Sequence, residues 1–267
     1  MHELAFVFAG FAVGLIVGLT GVGGGSLMTP ILIFFFGIKP HMAVGTDLLF
    51  AAFTKMGGTV SLARQRLVPW KVVGQLCAGS IPAALLALWA LKVMGPASST
   101  AQRVMTTTLG FALLLTAAAT LYKVVAFSAQ RQAAEAAVRK SHTGDPTRPR
   151  HWSLPVLMGA VIGTLVTFTS VGAGAIGVTV LLLVYPMLPL PRIIGADIAY
   201  AVPLTLVAGL GHASLGSVDW PLLAQLLAGS LPGIWLGSRL VTRTPERLIR
   251  SILSLLLAWA GFKLILI

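Results

Sequence analysis

Two stretches of this chain carry the same ordered set of marks. Gly45-Thr46-Asp47, Trp70, Gln75 and Gly79-Ser80-Ile81-Pro82 recur as Gly195-Ala196-Asp197, Trp220, Gln225 and Gly229-Ser230-Leu231-Pro232, at a constant offset of 150. Upstream of each stands a glycine-rich break, Gly21-Val22-Gly23-Gly24-Gly25 in the first copy and Val171-Gly172-Ala173-Gly174 in the second. A duplicated chain has to fold as two similar units that cover each other. The solvent for these units is apolar: 57% of the residues are hydrophobic and 10% charged, against about 25% charged in a soluble domain. Several apolar runs approach the length that spans a bilayer, which predicts an all-α polytopic membrane protein. Matching halves that each contain an interrupted apolar helix are the sequence pointer to a secondary transporter, with its site where the breaks meet.

Ten apolar segments are expected, at roughly 4–19, 26–36, 42–62, 72–93 and 103–125, then 153–168, 174–187, 193–213, 221–238 and 247–266. This divides the chain into a first transmembrane repeat, 1–125, a polar linker, 126–152, and a second repeat, 153–267. The second segment of each half is short, which suits a re-entrant or half-spanning helix. The linker holds Arg131, Arg139, Lys140, Arg148 and Arg150 against Glu135 and Asp145. Its excess of positive charge assigns it to the cytoplasm. Counting outward puts the 63–71 loop (Arg64, Arg66, Lys71) and the 239–246 loop inside, and both termini outside. The repeat-equivalent of 63–71 is 214–220, which has no Lys or Arg and falls outside. Equivalent loops of opposite charge character predict two inverted-topology repeats. The first apolar run flows straight into the glycine break, and no cleavable signal peptide is evident.

The net charge of +12 would suggest nucleic acid in a soluble protein. Here it follows the loops, and positive-inside topology with anionic lipid accounts for it, so no nucleic-acid partner is expected. The single Cys77 excludes an internal disulfide framework and a cysteine metal cluster. No His-x-x-His, His-Glu-x-x-His or acidic cluster calls for a metal, and no cofactor is expected. A homodimer is compatible with the sequence.

The glycine clusters lack the Gly-Lys-Ser/Thr of a Walker loop and the strand–turn–helix frame of a dinucleotide fingerprint. What remains is broken backbone at membrane depth, tolerated where it is buried or lines a cavity. The helix restarting after each break offers free N–H groups and a positive dipole end to an anion. Candidate ligands are Gly23, Gly24, Gly25, Gly172 and Gly174 through their backbone, and Thr20, Ser26, Thr169 and Ser170 through hydroxyls.

Lys55 lies mid-segment, where a charge costs about 2.5–3.5 kcal/mol on insertion scales. Two compatible roles stand for it: an ion pair with Asp47 or Asp197, and a countercharge for an anionic substrate. Asp47 and Asp197 either cap or complement the starts of their own helices, or act as proton-linked or Lys55-pairing carboxylates. His212 is a proton relay or an interfacial hydrogen-bonded residue near the end of its helix. Gln75 and Gln225 are expected to bond across helices, and Pro82 and Pro232 to kink theirs. Gly10, Gly14 and Gly18, four apart, read as a close-packing helix face. Ser80 and Ser230 lack a nucleophile–base arrangement, so the chain is not read as an enzyme.

These residues resemble the TauE/SafE family of sulfite exporters. The likeness runs through Gly18–Ser26, Val44–Lys55, Leu67–Trp70, Gly195–His212 and Leu227–Gly233. It covers essentially the whole chain except 126–152. The resemblance implies a two-repeat helical fold of the bacterial inner membrane, transporting sulfite, sulfoacetate or a related organosulfonate, usually outward. A more distant relative with a similar hairpin design passes thiosulfate using cysteines, whereas Cys77 lies outside the glycine loops. The combined reading is an alternating-access carrier of a small anion, exported or proton-coupled. An anion channel, or a carrier of another small anion such as a carboxylate, stands as the alternative.

Overall fold

The computed structural model describes residues 2–20, 25–140, 153–172, 174–185, 187–240 and 246–265. Its described residues form ten helices: α1 (His2–Thr20), α2 (Gly25–Phe34), α3 (Pro40–Arg64), α4 (Trp70–Met94), α5 (Ser99–Lys140), α6 (Leu154–Thr169), α7 (Ala175–Val184), α8 (Leu190–Ser214), α9 (Trp220–Leu240) and α10 (Glu246–Ile265). No strand occurs among them. Three stretches are long and apolar enough to cross a membrane: Trp70–Met94, Ser99–Leu121 and Leu190–Ser214.

Local chemistry sets the ends of these helices. Pro40 opens α3 and Pro191 stands in the first turn of α8, where a missing N–H costs nothing. After α3 the chain turns through Arg66 at φ 57°, and after α8 through Gly216 at φ 70°, its counterpart 150 residues on. Each turn is closed by the same bond: Leu67 N–H to Leu62 O, and Ser217 N–H to His212 O. Trp70 and Trp220 then begin α4 and α9, both exposed, as aromatic side chains at a membrane interface would be. In α9 the Asp219 carboxylate caps the helix by accepting from Leu222 N–H at 3.0 Å.

The 42-residue α5 would be about 63 Å long if straight, twice the ~30 Å hydrocarbon core. Its 122–140 end therefore reaches past any bilayer that its apolar part crosses, and makes the 126–140 portion of the linker helical. Residues 141–152 lie outside the described residues. At the other extreme, α2 and α7 have ten residues each, about 15 Å and half the core thickness.

The packing exchanges partners between the halves. α1 lies along α9, with Gly10 against Leu226 and Gly14 against Ser230. α6 lies along α4 in the same way, with Gly159 against Leu76 and Gly163 against Ser80. The reverse contacts are also paired, with Gly79 against the Val156 carbonyl and Gly229 against the Val7 carbonyl. A Cβ at any of these six glycines would strike backbone, so the helices touch because no side chain separates them. Gly18 completes the expected α1 face by meeting Gly237. The Gly-Ser-x-Pro elements are thus seats for a neighbouring helix, and α4 and α9 run on through Pro82 and Pro232. Gln75 bonds across helices, its Oε1 accepting from the Tyr185 hydroxyl at 2.5 Å. With α1/α9 and α4/α6 clamped, α3 and α8 cross at the centre and are the most enclosed elements. Apolar side chains such as Leu85, Leu86 and Trp89 on α4 and Leu255 and Phe262 on α10 face outward.

Candidate functional site

Asp47 and Asp197 do not serve the starts of their own helices. The residues preceding α3 and α8 are Lys39 and Pro189, and each carboxylate sits two turns further in, with no acidic residue in either first turn. The capping reading of both is corrected accordingly. A side chain that deep on a central helix can be satisfied only by neighbouring elements, and each carboxylate turns to one of the short helices. Asp47, fully buried, accepts a hydrogen bond from the Thr29 hydroxyl of α2 on Oδ2. Asp197, 3% exposed, lies against Gly177 in the first turn of α7. A Cβ at Gly177 would overlap Asp197 Oδ1 and come within 3.2 Å of the Tyr200 hydroxyl, so glycine is what admits the carboxylate there. A carboxylate at that place complements the positive end of α7.

Lys55, 7% exposed, belongs to the same cluster. It lies within electrostatic reach of Asp197 and, more weakly, of Asp47. The weaker coupling along its own helix follows from the eight-residue spacing, a rise of about 12 Å. α8 crosses α3 just beyond, where the Thr59 hydroxyl reaches the Ile198 carbonyl at 3.5 Å. The position 150 residues on from Lys55 is Thr205, whose hydroxyl bonds back to the Ala201 carbonyl. Charge is therefore distributed unevenly between the halves: two carboxylates occupy equivalent places and one cation has no counterpart.

The second glycine break forms the next wall. α6 ends at Ser170, which sits in the left-handed region at φ 58° and bonds its N–H to Val166 O at 2.7 Å. Gly172 and Gly174 follow at φ 130° and 147°, conformations that side chains rarely adopt. Their carbonyls accept from Gly177 and Val178 N–H and so start α7. The Ser170 hydroxyl neighbours the Asp47 carboxylate, without hydrogen-bonding geometry to a described residue. Thr169 is buried with its hydroxyl engaged in the turn, donating to Leu165 O at 2.6 Å and accepting from Val171 N–H at 3.0 Å. It holds the break in shape and offers no free donor.

His212 is fully buried. Its Nε2 bonds the Thr167 carbonyl at 3.0 Å, tying α8 to the last turn of α6. It also packs beside Gly45, whose missing side chain gives room for the Ser217 carbonyl. The interfacial position expected for it is replaced by an interior one, because the 214–220 turn folds back over α3 at Gly45 and Thr46. There Thr46 Oγ1 receives Asp219 N–H at 3.0 Å.

In the first break, Gly23 and Gly24 lie outside the described residues. Thr20 ends α1, and Gly25 and Ser26 begin α2, with their side-chain surroundings outside the description. The structure thus brings together Asp47, Lys55, Asp197, Ser170 and the start of α7. Sequence reasoning missed Thr29, Gly177 and Tyr200. Tyr200 stands three residues after Asp197 on one helix face, a spacing that could have suggested it. Thr29 and Gly177 are recognisable only through contacts between helices. No group of three or more metal-ligating side chains occurs among the described residues.

A family model described as Sulfite exporter TauE/SafE matches residues 6–264. The Probable membrane transporter protein YjnA of Bacillus subtilis (strain 168) is 35% identical, over 98% of this chain and all of that protein. YdhB and YunE of the same organism, with the same description, are 26% and 24% identical over at least 96% of this chain and 97% of their own lengths. No solved structure matches the chain.

Proposed function

The chain belongs to the sulfite exporter TauE/SafE family, and from that premise we propose that it is a secondary carrier of a small sulfur-containing anion, sulfite or an organosulfonate such as sulfoacetate. That it is a membrane transporter and not an enzyme follows from the family and the relatives. The observation that carries the finer reading is the buried Lys55 cluster between the two ten-residue helices α2 and α7. A cation held inside a membrane protein marks an ion or substrate path. In this reading the backbone N–H groups of 23–26 and 172–175, next to the helix starts, would replace the hydration shell of an oxyanion.

In this reading 1–125 and 153–267 are inverted-topology repeats joined by a cytoplasmic linker, and α2 and α7 are re-entrant. The exchanged α1/α9 and α4/α6 contacts and the opposite charge of the 63–71 and 214–220 loops support it. Rocking of one repeat against the other then alternates access to the site. The location is the inner membrane of a bacterium. An outside-positive potential favours anion export by about 2.3 kcal/mol per charge per 100 mV, so export can be uniport and uptake needs a coupled cation.

Flux into proteoliposomes tests this, with sulfite, sulfoacetate, isethionate, thiosulfate and sulfate presented with and without a pH gradient. Saturable movement of a sulfur anion is the expected result, and its acceleration by the gradient identifies proton coupling. Silence across the panel in folded protein overturns the sulfur-anion assignment. Non-saturating flux far above carrier rates makes the protein a channel.

A further inference from the structure

The charges in the cluster do not balance. Among the described residues Asp47 and Asp197 are both buried and couple to one lysine, so this ionised trio carries one negative charge in excess before any anion arrives. An anionic substrate adds to that excess inside low-dielectric protein, where uncompensated charge is most costly. The two carboxylates are not alike in their surroundings. Asp197 lies at the positive start of α7 and nearer in effect to Lys55. Asp47 lies beside Ser170, at the negative end of the 16-residue α6, where a cation and not a carboxylate is favoured. Around Asp47 stand the Thr29 hydroxyl and backbone N–H from α2 and the Ser170 hydroxyl that follows α6. Asp47 Oδ1 and Ser170 Oγ are both buried and have no hydrogen-bond partner among the described residues. Hard monovalent cations take such oxygen sets, and helix C-terminal ends at broken helices hold coupling ions in carriers of this general design.

We propose that Asp47, with Thr29 and Ser170, forms a site for one monovalent cation, sodium or a proton, which is bound together with the anion. The inference rests on the reading of this cluster as a carrier's site. It makes the transported unit an anion with its compensating cation. The other titratable groups nearby have separate engagements. Asp197 and Lys55 couple chiefly to each other, His212 is held by Thr167 O, and His41 lies near His212, six residues before Asp47. The polar side chains described on α2 and α6 are hydroxyls, with no titratable group among them.

The test needs no transported anion, so its outcome is separable from that of the flux panel. Purified full-length protein in detergent is equilibrated with radioactive sodium in choline buffer. In parallel, its infrared spectrum is recorded without sodium, as wild type minus D47N. The expected result is either a single saturable sodium site per chain or the carbonyl stretch of a protonated carboxylic acid in the difference spectrum. The sodium site should be lost in D47N, weakened at least tenfold in S170A and weakened but retained in D197N, which removes the excess charge and leaves the oxygen set; the acid band should be absent from S170A only if that variant is unfolded. Wild-type protein that binds no sodium and shows no acid band at Asp47 overturns the proposal, whatever the variants do. So does sodium binding that survives D47N unchanged.

Discussion

Gly163 and Gly177 are both helical glycines with no room for a methyl group, yet the obstacles differ in kind, and so should the consequences of Gly→Ala. At Gly163 the new Cβ would meet the backbone of α4, with Ser80 Cα at 2.7 Å and its carbonyl oxygen closer still. Backbone cannot step aside, so α4 and α6 must separate. Overpacking of this kind costs about 1–3 kcal/mol, and the better helix propensity of alanine returns about 1 kcal/mol. G163A should therefore be destabilised, by up to about 2 kcal/mol, which at that limit is about a 30-fold change in the folding equilibrium. At Gly177 the obstacle is the end of a side chain, Asp197 Oδ1, with the Tyr200 hydroxyl next at 3.2 Å. That carboxylate can rotate away. Its loss from the first turn of α7 costs about 0.3–1 kcal/mol, and up to ~2 when partly buried. The propensity gain of about 1 kcal/mol largely offsets this. G177A should melt close to wild type yet lose at least tenfold in saturable sulfite flux, because the carboxylate facing Lys55 has moved. The assays are thermal unfolding in detergent, followed by monodisperse size-exclusion recovery, and initial flux into proteoliposomes. Wild-type flux in G177A would refute the functional importance of where Asp197 lies. Wild-type melting in G163A would refute the claim that glycine is required at the α4/α6 contact.

Lys55→Met should leave a folded protein without saturable flux, a loss of at least tenfold or about 1.4 kcal/mol in transition-state terms; intact rate and apparent affinity would make Lys55 structural only. Asp219→Ala removes the side-chain acceptor for Leu222 N–H at the start of α9 and should cost about 1 kcal/mol in unfolding measurements, with little change in flux per folded protein. Arg66→Gly relieves a left-handed residue at φ 57°, where its counterpart is already Gly216, and should raise stability by up to about 1 kcal/mol; a lower melting temperature would show that the guanidinium contributes more than the backbone conformation costs.

The helices were legible in the sequence because their causes are local. The run expected at 42–62 became Pro40–Arg64 and that at 193–213 became Leu190–Ser214. Apolar length, a first-turn proline and a turn residue define such elements without reference to the rest of the chain. Gly10, Gly14 and Gly18 could be named as a contact face for the same reason, since spacing along one helix is a sequence property. The partner of that face could not be named. α1 lies on α9, not on a neighbour in its own half, and only three-dimensional packing decides that.

The same division runs through the candidate site. Lys55, Asp47 and Asp197 were visible as charges in apolar surroundings, because burying a charge in a membrane demands a reason wherever it occurs. Their partners depended on which helices cross at which height. Thr29 meets Asp47 and Gly177 admits Asp197 only after α2 and α7 are laid beside α3 and α8. Thr169, expected to offer a hydroxyl, spends it on the turn it stands in, since the backbone groups freed by a helix break take the nearest donors and acceptors. His212 moved from the expected interface to the interior because the turn after α8 folds over Gly45. Composition and spacing determined that this chain is helical, lies in a membrane and carries charge at its centre. The unequal placing of two equivalent aspartates, one at a helix start and one at a helix end, was decided by tertiary structure alone, because a helix dipole acts on whatever the fold brings within a turn of its end.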